Sequence, residues 1–422
     1  MSDKKQIIIK AEHLKKYFPI TGGFIGRKIA DVKSVDDVTF SVKKGETYSL
    51  VGESGAGKTT AAKTAIRLYE PTSGSIYFNL NKKHMEVLSQ NPENEKELQS
   101  FQINLNPNTA ILKNSKNIDF NQLNENDPIV VHGEVNTITK TINAKEIVLS
   151  KEADLKLSSN NWKNSILGSV HNLGLTNITH LHGEKLRYLR KHMQIVFQDP
   201  SGSLNPRIPV GDIISEPLVV HGERNKKLIR ERVQYLMEVV GLRPEYLKRY
   251  QHEFSGGQRQ RIGIARALVL NPEFVVCDEA VSALDVSIQS QIINLLQDLQ
   301  SKFQLTYLFI AHDLAVVRHM SDTIGVLYVG KLMEVAPNAK LFASPLHPYT
   351  KALLSAVPVP NPEINRDRKT IVGDIPSPIN PPSGCRFRTR CPYAIEQCAL
   401  EIPELKEYEP DHFAACFRIG QI

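Results

Sequence analysis

One stretch constrains this chain more than any other: Gly52-Glu53-Ser54-Gly55-Ala56-Gly57-Lys58-Thr59-Thr60. An alternating, strand-like run from Thr47 to Val51 precedes it, and a helix-forming stretch from Ala61 to Leu68 follows. Strand, glycine-rich turn and helix is the context in which G-x-x-x-x-G-K-[ST] forms a phosphate-binding loop. Its glycines permit positive φ and close backbone approach, so successive N–H groups can turn inward onto a polyphosphate. The helix adds the positive end of its dipole to the same anion site. Lys58 is expected to reach the β- and γ-phosphates, and the Thr59 hydroxyl to ligate Mg2+. The rest of the motif, from Gly52 through Thr60, is expected to line the nucleotide. A Gly-Ser loop that merely ends in Lys-Thr is the plain alternative, and the flanking pattern argues against it.

A chain of 422 residues has room for two or three domains. No run of about eighteen apolar residues occurs, so no bilayer span is expected. The N-terminus, Met1 to Lys5, leads straight into a strand-like segment without the apolar core of a signal peptide. The chain therefore reads as cytosolic unless a partner holds it at a membrane. Its net charge of +7 is modest at this length and forms no Lys/Arg block, so charge does not argue for nucleic acid.

Taken in order, residues 6 to 18 open on the buried-strand signature Ile7-Ile8-Ile9 and close on Tyr17-Phe18-Pro19. A glycine-rich turn around Gly22, Gly23 and Gly26 leads to an alternating strand from Val35 to Val42. After the P-loop and its helix, Ser75 to Phe78 is a further strand. From about 81 to 180 the chain is rich in Asn, Lys, Ser and Gln. A structureless loop of that length is improbable inside a compact domain, so this is an inserted domain or a disordered excursion, the first being favoured. Pro128 to Val131 and Ala144 to Leu149 are its strand candidates. Regular patterning returns at Lys185, and a strand from Met193 to Phe197 ends at Gln198. Helical patterning from about Val210 to Tyr250 breaks near Gly222 and Gly241. Phe274 to Glu279 reads as a buried parallel strand. The next helix carries Ile288, Ile292, Leu295, Leu299 and Phe303 as one apolar face. Thr306 to Ala311 is another buried strand, ending at His312. Beyond about Pro337, prolines 345, 348, 358, 360, 376, 378, 381 and 382 suit an irregular extension that wraps or docks.

Asp278, at the end of a hydrophobic strand, can hold the hydration shell of Mg2+ opposite Thr59. Glu279 is placed to polarise a water for attack on a γ-phosphate; a helix cap is the alternative for such a pair. Ser255-Gly256-Gly257-Gln258 offers a second anion site at a helix N-terminus, or an ordinary N-cap with a glycine turn. Cys277 lies in an apolar run, whereas Cys385, Cys391, Cys398 and Cys416 crowd the C-terminal end. In a cytosolic chain such a cluster points to metal before disulfides. Four thiolates suit a [4Fe-4S] cluster or a zinc site, although the spacing is not that of a common zinc finger. Reduced cysteines in a proline-stiffened tail are the third reading.

Ser255 to Gln258, followed by Arg259-Gln260-Arg261, resembles the signature of ATP-binding-cassette (ABC) ATPases. Gln198 resembles that family's glutamine loop, Ser282-Ala283-Leu284-Asp285 its D-loop and His312 its switch histidine. Phe18, with Tyr17 as second candidate, sits where the family stacks an aromatic ring on adenine. The resemblance implies an α/β P-loop NTPase: a RecA-like core, an antiparallel β subdomain and a helical subdomain over about 200–265. It also implies an ATP site completed between two subunits, with Ser255, Gly256, Gly257 and Gln258 facing the partner's ATP. Gln198 would then sense Mg2+ and the membrane partner, and His312 would steady the γ-phosphate.

Pro345 to Thr350, Ile375 to Cys385 and Ser203 to Arg207 are similar to segments of oligopeptide/dipeptide importer ATPases. That resemblance implies ATP-driven peptide uptake by a peripheral subunit on the cytoplasmic face of the cell membrane. Its partners would be a second homologous ATPase, two membrane permease subunits and, through the complex, an extracellular peptide-binding lipoprotein. Some of these relatives hold a [4Fe-4S] cluster at the matching cysteines. The expected divisions are 1–80 and 181–336 for the cassette, 81–180 for the insertion and 337–422 for the extension. The insertion departs from the family pattern, as does Ala280, where these importers usually have proline. A dipeptide, nickel, antimicrobial-peptide or glutathione transporter remains open. So does a soluble ABC ATPase of ribosome or DNA, although the single P-loop and the lack of a heptad pattern in the insertion disfavour it.

Overall fold

A computed structural model describes residues 6–22, 27–80, 102–113, 116–117, 129–136, 141–149, 165–167, 175–282, 284–356, 371 and 373–421. The chain divides into two compact units, Met1–Tyr77 with Asn177–Ile422, and Phe78–Thr176. Strands β1 (Ile7–Gly22) and β2 (Arg27–Lys43) form an antiparallel hairpin, with Ala11 opposite Phe40 and Leu14 opposite Val38. Ile9, Ala11, Leu14, Val35, Val38 and Val42 are all buried. Both strands outrun the alternation read from sequence. Their distal halves, around Ile20 and Ala30, are held by ladder pairing more than by burial. The expected turn at Gly23 and Gly26 lies outside the described residues. Strand β3 (Thr47–Val51), buried at every position, feeds the P-loop. Helix α1 (Lys58–Ala65) and strand β4 (Ser73–Asn79) follow.

The second unit contains β5 (Gln102–Lys113), β6 (Lys116–Asn117), β7 (Ile129–Asn136), β8 (Thr141–Leu149) and β9 (Ser165–Leu167). They form one sheet in the order β6-β5-β8-β7-β9, parallel only between β5 and β8. Of the strand candidates from the sequence, Ala144 to Leu149 lies within β8 and Ile129 to Val131 within β7, while Pro128 lies outside the described residues.

Strand β10 (Leu175–Asn177) completes a sheet in the order β10-β4-β1-β2. Helix α2 (Gly183–Leu189) leads to β11 (Met193–Val196). Three helices then pack together: α3 (Val210–Val220), α4 (Lys226–Val239) and α5 (Gly256–Leu268). Gly222 and Gly241 adopt positive φ just after the first two, where the sequence predicts breaks. Asn225 caps α4 by accepting from the amides of Lys227 and Leu228.

The large sheet is built from β3, β11, β12 (Phe274–Asp278), β13 (Thr306–Ile310), β14 (Thr323–Tyr328) and β15 (Lys331–Pro337). Two late strands, β16 (Lys406–Glu409) and β17 (His412–Ala414), extend it to the order β11-β12-β13-β3-β14-β15-β17-β16. Pairing is parallel from β11 through β14 and antiparallel beyond. The runs in β12 and β13 are buried on both faces, as a covered parallel sheet requires. Helix α6 (Val286–Phe303) and helix α7 (Leu314–Met320) connect these strands.

Two expectations need correction. Helix α6 buries Ile292, Ile293, Leu296 and Leu299, while Ile288, Leu295 and Phe303 are only partly covered. The apolar stripe is wider than the row read from sequence, and its centre lies one position over. The C-terminal extension is also less irregular than its prolines suggest. Helices α8 (Asn338–Ala343) and α9 (Pro348–Ser355) open it, and β16 and β17 join the main sheet. Strand β16 is exposed at each of its residues, Lys-Glu-Tyr-Glu, so it carries no buried alternation for a sequence reading to detect. Pro358 and Pro360 lie outside the described residues.

The anchor of the extension is Glu334 on β15, fully buried. It accepts from His412 Nε2 at 2.7 Å and from the amides of Leu346 and His347 at 2.8 Å each. A buried carboxylate survives only when its lone pairs are taken up in this way.

Candidate nucleotide-binding site

The P-loop turns on two glycines. Gly52 has φ 148°, and a Cβ there would lie 2.1 Å from the Leu327 carbonyl oxygen. Gly57 has φ 100°, and its Cβ would lie 2.0 Å from the Ser34 oxygen. Neither position admits a side chain. The Gly330 amide donates to the Ala56 oxygen at 2.9 Å, pinning the loop from β14's end. Lys58 is buried and donates through Nζ to the oxygens of Gly52 at 2.8 Å and Glu53 at 3.0 Å. Burial pulls its pKa below the usual lysine value, against the opposing pull of the Glu279, Asp278 and Glu53 carboxylates.

Asp278 ends β12 with its side chain buried. The Thr59 hydroxyl donates to its Oδ1 at 2.6 Å, and Lys63 Nζ lies 3.0 Å from its Oδ2. A hydroxyl and a carboxylate converging at the P-loop are the hard oxygen donors that Mg2+ takes. Lys63 was not singled out from the sequence. Its signal was available, because it lies four residues after Thr59 and so on the same face of α1.

Glu279 adopts φ 48°, a backbone conformation that is costly for a non-glycine residue and clusters at functional sites. Its amide donates to the Ile310 oxygen at 3.0 Å. Its Oε2 accepts from Gln198 Nε2 at 2.7 Å and lies 3.7 Å from His312 Nδ1. Three separate stretches thus meet at the ends of neighbouring parallel strands: Gln198 after β11, Asp278 at the end of β12 with Glu279 next to it, and His312 after β13. The crevice beyond the carboxyl ends of parallel strands is where α/β sheets bind ligands.

Phe18 is half-buried, packed edge-on against Tyr69 with ring centroids 5.6 Å apart. The hydroxyl of its neighbour Tyr17 donates to Asp36 at 2.5 Å. At the start of α5, Ser255 Oγ accepts from the Gln258 amide at 3.4 Å, and Gln258 Oε1 accepts from the Ser255 amide at 3.0 Å. This capping box presents the helix N-terminus. Gly257 is forced by packing, since a Cβ would meet Ile288 Cγ2 at 2.5 Å; Gly256 lies against Leu284. Asp285 is the N-cap residue of α6 without a side-chain capping bond. Ala283 of the expected D-loop lies outside the described residues.

Cys385, Cys391, Cys398 and Cys416 all line one small cavity, and all are free thiols. The Cys385 amide donates to the Cys398 oxygen at 2.8 Å. Burial pushes the Cys385 thiol up to about 11 and raises those of Cys391 and Cys416. Among the described residues, no group of three or more His, Cys, Asp or Glu is arranged to hold a metal ion.

Residues 35–161 and 164–282 match the family model described as ABC transporter. The chain belongs to that family. Residues 333–398 of this ABC-family chain also match the model described as oligopeptide/dipeptide transporter, C-terminal region. The chain is 43% identical to the oligopeptide transport ATP-binding protein AppF of Bacillus subtilis (strain 168), over 98% of this chain and 97% of that one. Among solved structures it is similar to the ATP-binding cassette MJ0796 in a dimeric post-hydrolysis state bound to ADP and Pi. The TM-score is 0.50 at 18% identity, covering 78% of this chain and 99% of that one. That likeness shows the ABC ATPase fold.

Proposed function

We propose that this chain is the ATP-hydrolysing subunit of an ABC importer that takes up oligopeptides. The observation that carries the enzymatic half is the meeting of Thr59, Asp278, Glu279, Gln198 and His312 beside the P-loop. The match of residues 333–398 to the oligopeptide/dipeptide transporter region supports the importer half.

In this reading the amides of residues 52–60 cradle the triphosphate and Phe18 stacks on the base. Lys58 releases the backbone oxygens it now bonds and turns to the β- and γ-phosphates. Thr59, Asp278 and Gln198 would hold Mg2+, which would supply charge neutralisation at the phosphate oxygens. Glu279 orients the attacking water, and His312 steadies the charge that builds on the γ-phosphate. Ser255, Gly256, Gly257 and Gln258 serve the ATP of a second subunit, with Asp285 following Leu284, against which Gly256 lies. One γ-phosphate then joins two anion sites, and its hydrolysis separates them. Closing and opening of the pair levers the membrane subunits between two orientations.

The assembly is a second homologous ATPase, two permease subunits and an extracellular peptide-binding lipoprotein, with this chain peripheral on the cytoplasmic face. Residues 1–80 and 181–336 form the cassette, 81–180 an insertion and 337–422 the transporter extension. The sharing of one cavity by the four late cysteines supports a place for a [4Fe-4S] cluster in that extension.

Reconstitution with a second homologous ATPase, two oligopeptide permease subunits and a peptide-binding protein tests the reading. Uptake of labelled oligopeptide into proteoliposomes should require ATP and stop with Glu279→Gln. Uptake without nucleotide, or at full rate in that variant, would remove it.

A further inference from the structure

Two arginines of the C-terminal extension reach back to the P-loop and its supporting strand. Both belong to the segment between Cys385 and Cys391, the first two cysteines of the cavity. Arg386 pairs with Asp36 on β2, the acceptor of the Tyr17 hydroxyl. Arg390 grips Glu53 with both prongs, Nη1 to Oε2 at 2.6 Å and Nη2 to Oε1 at 3.1 Å. The Arg390 side chain is 7% exposed, and its Nη1 also donates to the Tyr328 hydroxyl at 3.3 Å. The Glu53 amide donates in turn to the Tyr349 hydroxyl on α9 at 2.9 Å. Residue 53 of the P-loop is therefore held by its backbone and by its side chain, both times from the extension.

Glu53 is an anion inside a loop whose work is to bind an anion. Its carboxylate is close enough to Lys58 to act on that ammonium, along with Asp278 and Glu279. An unpaired carboxylate there would compete with the β- and γ-phosphates for Lys58 and repel them directly. A guanidinium fork is the side chain suited to taking both carboxylate oxygens at once.

Resting on the nucleotide-site reading above, we propose that Arg390 is a positioning residue for ATP binding. It draws the Glu53 carboxylate away from Lys58 and fixes the first turn of the P-loop, which makes the C-terminal extension part of the nucleotide site. The effect falls on binding and not on the hydrolytic step, because the side-chain bonds of Arg390 and Glu53 run to each other and to Tyr328, and not to Glu279, Gln198 or His312.

The experiment is equilibrium binding of a fluorescent N-methylanthraniloyl ATP with Mg2+ to the full chain, with thermal unfolding recorded for every variant. Arg390→Met should raise Kd about tenfold, which is about 1.4 kcal/mol of binding free energy. Arg390→Lys, which keeps the charge and loses the fork, should fall between. The double variant Glu53→Gln with Arg390→Met should return to within about threefold of the original affinity, since a neutral amide no longer competes for Lys58. A purely structural strap would leave the double variant as weak as the single one. In steady-state turnover, KM for ATP should rise while kcat stays near its original value. Unchanged affinity in Arg390→Met, or no rescue in the double variant, overturns the proposal. Should Arg390→Met not fold, unchanged affinity in Arg390→Lys overturns it equally. Failure of the unaltered chain to bind the probe would instead remove the nucleotide-site reading itself.

Discussion

The Thr59 hydroxyl donates to Oδ1 of Asp278 at 2.6 Å, joining the first turn after the P-loop to the end of a strand 219 residues later. The second oxygen of the same carboxylate is taken by Lys63 at 3.0 Å. Asp278 is 1% exposed, so its charge is felt at low dielectric by both Lys58 and Lys63.

Asp278→Asn should therefore weaken Mg2+ more than it weakens the fold. The magnesium concentration for half-maximal ATPase activity is expected to rise about 10- to 100-fold, the range seen when a metal's supporting carboxylate is lost. A magnesium titration of turnover at saturating ATP measures it. An unshifted titration would detach Asp278 from the metal.

Glu279→Gln keeps the size of the side chain and can still contact Gln198 and His312. It should hold ATP within a few-fold of the original affinity while turnover drops about 100- to 10,000-fold, the span of a general-base contribution. Binding and single-turnover hydrolysis, measured separately, distinguish this from a binding defect. Retained turnover would assign the base elsewhere.

His347 gives the extension a pH dependence. It is buried, and burial lowers it from 6.5 to about 4, with Glu334 pulling the other way. The folded protein thus binds this proton less readily than the unfolded chain, so stability is complete above pH 6.5. It falls progressively as pH drops toward about 4, by about 3 kcal/mol in all. Unfolding free energies by urea across that window should show the slope, and His347→Asn, which preserves an acceptor for the Tyr349 amide, should flatten it. An equal slope in both proteins would assign the dependence to other groups.

The cysteine cavity makes a compositional prediction. Purified without oxygen, the chain should carry iron and acid-labile sulfide in equal amounts, with broad visible absorbance. Serine at any one of positions 385, 391, 398 or 416 should lower both. Zinc alone would make the cavity a four-cysteine zinc site, and no metal in the anaerobic protein would leave it a site of reduced structural thiols.

The elements of the candidate site were legible because each announces itself locally. The P-loop is a contiguous strand, turn and helix; Asp278 and Glu279 end an apolar run; Ser255 and Gln258 form a capping pair three residues apart. What escaped has no local mark. Strand β16 is exposed at every position, and the register that docks it on β17 is set by turn and edge pairing, not by hydrophobic alternation. Helix α6 reads one row off because adjacent rows of its surface are both apolar, and only the neighbouring elements decide which is covered. Lys63 was visible as a position but not as a partner, since Asp278 meets it only through the sheet.

By itself, the sequence determined that this chain carries a P-loop, which acidic and polar side chains end its strands, and which family extension follows the cassette. Those properties are written in spacing and in short-range backbone conformation. The tertiary structure alone decided that the extension closes back on the P-loop, with Arg390 set against Glu53 across 337 residues. No periodicity encodes such a pairing, because it exists only once β14, β15 and β17 have brought the late segment to the edge where β3 delivers the loop.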